Sequence, residues 1–355
     1  MWLVPDGFTL FKEDLEHVNT TLDEDWSLLR GANIFVTGGT GFFGVHLVEC
    51  LVWANARRRL DIRLTILTRS PETFRRRRPD LHAQPNVRLL QGDITNFVMP
   101  CDAFTHILHC ASEANLIGAK HWAKSHLSAA IDGTYRIIEL ATKSHAECLL
   151  ITSSGAVYNQ SDQFMDNRWV EGPSGPADYI SEKSVYSQSK RIMEIMINVS
   201  AESAGFRAII ARCFAFIGPY LVLNQGGAIG NFIDDILKDR PIVVNGDGTP
   251  IRSYLYTADL VIWLLRCVTK GRNGVAYNIG GEEPISIGGM AHLMNNIEPR
   301  TSDVIIKGRP DKGTAPQHYL PSITRAKSEL GVEVWIGLDE TVRRTIAWHR
   351  ARIKL

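Results

Sequence analysis

The chain has 355 residues, 45% of them hydrophobic, with 39 Lys and Arg against 38 Asp and Glu. That is enough for a substantial core in one large domain or two interleaved ones, and a net charge of +1 gives no electrostatic case for nucleic acid or a membrane as partner. The 6 cysteines are scattered with no Cys-x-x-Cys pair, no apolar run approaches about 18 residues, and the amino end carries Pro5, Asp6 and Gly7, which reads as a cytoplasmic protein with reduced thiols and no metal centre.

Residues 8–30 place Leu10, Leu15, Val18, Leu22, Trp26 and Leu29 at roughly helical spacing, so 1–30 reads as a helical extension packed on the main body. From residue 32 short apolar strands alternate with amphipathic helices. Strands are expected at 33–37, 63–68, 87–91, 105–110, 147–152 and 207–211, and helices at 43–56, 119–144 and 183–204. Such alternation predicts an α/β fold with a doubly wound parallel sheet.

The first strand runs into Thr37-Gly38-Gly39-Thr40-Gly41-Phe42-Phe43-Gly44 and a helix follows. Glycines at 38, 41 and 44 let backbone N–H groups approach a pyrophosphate at the positive end of that helix. The second strand ends in Thr68-Arg69-Ser70, with no acid to bind a ribose 2′-hydroxyl. Arg69 there can accept a 2′-phosphate, which favours NADP over NAD. Arg75 to Arg78 reads as a solvated face or, less simply, as a phosphate contact. After the third strand, Asp93-Ile94 offers an acceptor for an adenine amino group, or a turn Asp. Cys110-Ala111-Ser112 ends the fourth strand with small residues that let a cofactor lie close.

The fifth strand leads into Thr152-Ser153-Ser154-Gly155-Ala156-Val157-Tyr158 and leaves hydroxyls at the same sheet edge. Further on, Tyr186 and Lys190 stand four apart on a helix and share a face. A nearby ammonium favours phenolate and is expected to lower the Tyr186 pKa.

With these residues the chain resembles the extended short-chain dehydrogenase/reductase family, in its nucleotide-sugar epimerase/dehydratase branch. The family's Thr-Gly-x-x-Gly-x-x-Gly turn matches Thr37, Gly38, Gly41 and Gly44, its catalytic serine matches Ser154, and its Tyr-x-x-x-Lys matches Tyr186 and Lys190. The resemblance implies a Rossmann-like domain over 31–211 and a smaller mixed α/β substrate domain over 212–355, partly interleaved. It also implies that Gly38, Thr40, Gly41, Phe42, Phe43, Gly44, Arg69, Asp93, Ile94, Cys110, Ala111, Ser112, Thr152, Tyr186 and Lys190 line the cofactor. Asn231 resembles the family's diphosphate asparagine, and Arg252 and Arg309 (in Arg309-Pro310-x-Lys312) resemble its phosphate arginines, so with Ser153 and Ser154 they are expected at a nucleotide sugar. A homodimer through the helices at 119–144 and 183–204 is implied too.

Departures narrow the reading. Dehydratases of this branch carry Asp-Glu after the catalytic serine, and decarboxylases keep the Glu; here the positions are Gly155 and Ala156. Ala215 stands where the family has Asn, and Ser253 where it has Asp. Glu171 and Asp178 are alternative acids in a loop over the sugar, or simply solvated. The resulting expectation is an NAD(P)-dependent epimerase acting through a keto-sugar, with a 4-keto-sugar reductase next and a 4,6-dehydratase third. A reductase of small ketones and a dinucleotide-sensing regulator are the readings outside that class.

Overall fold

The computed structural model describes residues 9–112, 122–159, 164–172, 184–224, 227–298, 303–311, 313 and 315–353. Seven parallel strands form the main sheet: β1 (Asn33–Thr37), β2 (Arg63–Thr68), β3 (Val87–Gln91), β4 (His106–His109), β5 (Cys148–Ser154), β6 (Arg207–Cys213) and β7 (Val275–Ile279). Their spatial order is β7-β6-β5-β4-β1-β2-β3. The order reverses between β1 and β4, and in such sheets the crevice at that point takes the ligand.

The strands are apolar because both faces are covered. Ile34 to Val36, Leu149 to Ile151 and Ala208 to Ala211 are all buried. One face carries helices α1 (Thr9–Thr21), α2 (Phe42–Arg58) and α5 (Thr257–Lys270); the other carries α3 (Trp122–Lys143) and α4 (Ser184–Ala204). Helix α1 is fully part of the core. Leu15, Val18 and Leu22 have no exposed surface, and Asp14 accepts from Tyr256 at 2.5 Å and from Arg344 at 2.6 Å.

Two differences from the sequence reading matter for the site. Strand β5 runs on to Ser154 because Ser153 and Ser154 continue the ladder with Arg212 and Cys213 on β6. The seventh strand, Val275–Ile279, was not anticipated and lies well past residue 211. It follows helix α5 and pairs with β6 in parallel, continuing the sheet beyond the run of strands read from the sequence.

Beyond β6 the chain builds small ladders around a third core cluster that includes Phe232, Met290 and Ile346. Residues 215–217 pair with 254–256 in parallel. Residues 251–252 lie between 285–286 and 318–319, which sets Arg252 directly beside Tyr319. Among the described residues, no helix is long and apolar enough to cross a membrane.

Candidate active site

The glycine turn is shaped by contacts that forbid side chains. Gly38 has φ +72°, and a Cβ there would lie 2.6 Å from the backbone of Cys110. A Cβ on Gly44 would lie 2.0 Å from the Gly38 carbonyl oxygen. The turn therefore packs the start of α2 against the ends of β1 and β4. Gly41 caps α2 with no side-chain bond, so the first N–H groups of the helix are not taken by a cap. Thr37 Oγ1 fixes the end of β4, accepting from Ala111 N–H at 3.1 Å and bonding His109 Nδ1 at 2.7 Å.

This turn opens on a cleft of about 220 Å³ whose wall includes Gly38, Thr40, Gly41, Arg69, Asp93, Ile94, Ala111, Ser112 and Lys190. Uncapped backbone donors at a turn where side chains would clash, with an arginine at one end and a lysine at the other, fit a dinucleotide. Asp93 also makes the turn expected of it, accepting from Thr95 N–H at 3.0 Å and Thr95 Oγ1 at 2.7 Å. Partial burial raises its pKa, but those bonds and Arg69 outweigh this and hold it below the usual carboxylate value. Arg75, Arg76 and Arg77 are exposed and absent from this wall, whereas Arg78 turns inward to Glu49, Asp80 and Tyr220.

At the β4–β5 side stand the residues suited to chemistry. Tyr186 lies near enough to the hydroxyls of Ser154 and Ser112 for both to favour its phenolate. One turn along α4, Lys190 is buried and its Nζ donates to the Thr152 carbonyl at 2.8 Å, 5.9 Å from the centre of the Tyr186 ring. Thr152 Oγ1 reaches the His109 carbonyl at 3.4 Å. Ser154 Oγ accepts from Ala156 N–H at 3.1 Å.

The expected acidification of Tyr186 by Lys190 is not found. Burial raises the phenol above its ordinary value, and the hydroxyls of Ser154 and Ser112 only partly offset that. The ammonium is directed at the Thr152 carbonyl instead, and burial lowers Lys190 itself to about 8.

A second cavity of about 610 Å³ adjoins the cleft through Gly38, Gly41 and Ser112. Phe42, Phe43, Gly44, Cys110, Ala215, Arg252 and Tyr319 line it. Arg252 is half-buried, 5.5 Å above the Tyr319 ring, with Nη2 donating to Gln317 Oε1 at 3.0 Å. A cation on this wall suits a diphosphate.

Not every expected residue arrives. Ser153 points to the other face of β5 and donates to Glu194 at 2.5 Å, inside a buried network with Arg212. Strand alternation is the reason: Thr152 and Ser154 share one face and Ser153 the other. Asn231 is half-buried on the helix Ala228–Leu237, whose Gly230 lines the cavity while Asn231 does not. Arg309 is exposed and lies outside the cavity wall. Glu171 is not a solvated acid: it is buried and accepts from Asn278 N–H at 2.8 Å. Asp178 and Lys312 lie outside the described residues.

Three site residues escaped the sequence reading as ligand groups: His109, His126 and Tyr319. The two histidines line the cleft, and the Tyr319 hydroxyl lies 3.5 Å from Ser154 Oγ. A Cβ on Gly155 would meet the Phe214 ring at 2.7 Å and the Tyr319 hydroxyl at 2.8 Å. The place of a carboxylate side chain at 155 is thus already filled.

Comparison with known proteins agrees with this geometry. A sequence model described as the NAD dependent epimerase/dehydratase family matches residues 34–280. UDP-glucuronic acid decarboxylase 1 of Arabidopsis thaliana is 28% identical over 321 residues, covering 90% of this chain and 70% of that protein. Among solved structures, UDP-glucose 4-epimerase of Thermotoga maritima with UDP-glucose superposes with a TM-score of 0.74 at 20% identity, covering 90% of this chain and 99% of that one. The Bordetella bronchiseptica enzyme WbmF in complex with NADH gives 0.73 at 20% identity, covering 92% and 94%.

The lowered Lys190 pKa has a measurable sign. Between about 8 and the ordinary lysine value of 10.5 the unfolded chain binds a proton that the folded chain has released. Stability relative to a Lys190→Met variant therefore rises with pH across that window, by up to about 1.4 kcal/mol per unit. Denaturant unfolding of both proteins measures it; a difference that is flat or falls with pH contradicts the burial of a charged Lys190.

Proposed function

The chain belongs to the NAD dependent epimerase/dehydratase family, and we propose that it oxidises and re-reduces a carbon, most simply C4, of a UDP-sugar, with inversion of that carbon as the net reaction. The observation that carries this reading is Tyr186 beside the hydroxyls of Ser154 and Ser112, with Lys190 one helical turn away; Ser112 lines both cavities and Lys190 the first.

The dinucleotide, when bound, supplies the acceptor and later the donor of a hydride. The rest falls to the chain. Tyr186 takes the proton of the sugar hydroxyl and gives it back. Ser154 donates to the same sugar oxygen and stabilises its developing charge. Lys190, held by the Thr152 carbonyl, binds the near ribose. Arg252 holds the UDP phosphates, with the backbone at Gly230 on the same wall. Arg309 reaches the phosphates only by swinging in from the surface.

Inversion is favoured over water loss because Gly155 and Ala156 offer no carboxylate, and Tyr319 and Phe214 leave no room for one at 155. The decarboxylase relatives make loss of CO2 the competing outcome, since an acid next to a new ketone sheds CO2 readily. The test is product analysis with UDP-glucose and UDP-glucuronic acid in the presence of NAD or NADP. An epimer supports the proposal, whereas a UDP-pentose with CO2 replaces it by decarboxylation. Tyr186→Phe should lower turnover about 10²–10⁴-fold. No turnover of either sugar by the wild type would favour a dinucleotide sensor.

For the cofactor we favour NADP, although WbmF shows that the fold accepts NADH. Arg69 is exposed at the cleft wall just past β2, and the strand end itself carries no acid for a ribose 2′-hydroxyl. Arg69→Ala should weaken NADPH binding by roughly tenfold or more and leave NADH nearly unchanged; equal effects on both would contradict the preference.

We also propose a homodimer and a cytoplasmic location. The location rests on six free cysteines, five of them buried. The dimer rests on Ile192, Ile195 and Val199 along α4, with Tyr135 on α3, which leave an apolar face in solvent. Val199→Lys with Ile195→Lys should convert a dimer to a monomer in sedimentation; a wild-type monomer would contradict it.

A further inference from the structure

His126 lines the cleft on α3, with 3% of its surface exposed, and none of the roles above uses it. Its ring stacks on Trp122 at 4.7 Å and lies 5.5 Å from the Tyr186 ring. The hydrogen bonds around it fix its tautomer. Ser189 Oγ has one proton, and it donates that proton to the Tyr186 carbonyl at 2.8 Å. His126 Nε2 lies 2.9 Å from the same oxygen. A carbonyl has no proton to give, so the imidazole must bring its own. Nε2 therefore carries the hydrogen and Nδ1 is a bare acceptor.

That Nδ1 is buried and has no partner among the described residues. Burial, with the charge of Lys190 adding to it, holds the imidazole at about 4, so Nδ1 stays unprotonated near neutral pH. The residue that carries this lone acceptor lines the same cavity as Lys190. A vicinal diol matches that pair, since each hydroxyl both donates and accepts. The cleft runs from Arg69 and Asp93, at the ends of β2 and β3, past the glycine turn to Lys190 and His126. The diol in question is then the ribose remote from adenine.

We propose that His126 is a cofactor-binding residue, its Nδ1 accepting a hydrogen bond from a hydroxyl of the ribose that Lys190 also holds. The inference rests on the dinucleotide reading of the cleft. Because a bound hydroxyl would satisfy an otherwise orphaned acceptor, the residue adds affinity rather than merely packing.

Calorimetry with ADP-ribose and with ADP tests it. ADP-ribose contains the remote ribose and ADP does not. His126→Phe keeps the stack on Trp122 and removes the acceptor. The expected result is about a tenfold loss of affinity for ADP-ribose and none for ADP. Unchanged binding of both, or equal weakening of both, overturns the inference while leaving the dinucleotide reading intact. Failure of the wild type to bind either ligand overturns both. A second measurement uses the unsubstituted protein: nitrogen NMR should find the His126 proton on Nε2 and the Nδ1 resonance shifting when ADP-ribose, but not ADP, is added. A proton on Nδ1, or no shift, overturns the inference as well.

Discussion

Lys190 donating to the Thr152 carbonyl is the contact on which the site's geometry depends. It places an ammonium with almost no exposed surface at the junction of a strand and a helix. Such a charge is costly to bury, and the drop in its pKa to about 8 records that cost. In return it pins α4 to the end of β5, so that Tyr186 on one element meets Ser154 on the other.

Below this contact a buried polar network keeps the two strands in register. Glu194, one turn beyond Lys190, accepts from Ser153 and is gripped by Arg212, which also bonds Tyr158. Tyr158 in turn donates to Asn278 on β7. Every group in that chain has a partner, and removing one would leave a buried charge exposed to no compensation. A strand from the second half joins this sheet through its parallel ladder with β6, and Asn278 ties it to the same network.

Much of this was legible in the residues. Six of the seven sheet strands fall where apolar runs predict them, the glycine turn and Lys190 line one cleft, and Tyr186 lies near Ser154. What was not legible depends on orientation or distance. Ser153 and Ser154 are equal candidates by type, and only the pleat decides between them. Asn231 and Arg309 match motif positions, but their side chains are placed by a helix and a surface segment whose packing no motif encodes. Tyr319 enters from a two-residue strand late in the chain and becomes a neighbour of Ser154 only through the ladder with Arg252. The pKa of Tyr186 was misjudged because spacing fixes which residues share a face, not where an ammonium points.

The hydrogen on the reacting carbon leaves and returns as a hydride and not as a proton. Turning over the UDP-sugar in deuterated water and reading the product by NMR tests it directly. A hydride held inside the site never mixes with solvent, so the predicted product carries protium at C4. Deuterium incorporated at C4 would contradict the account.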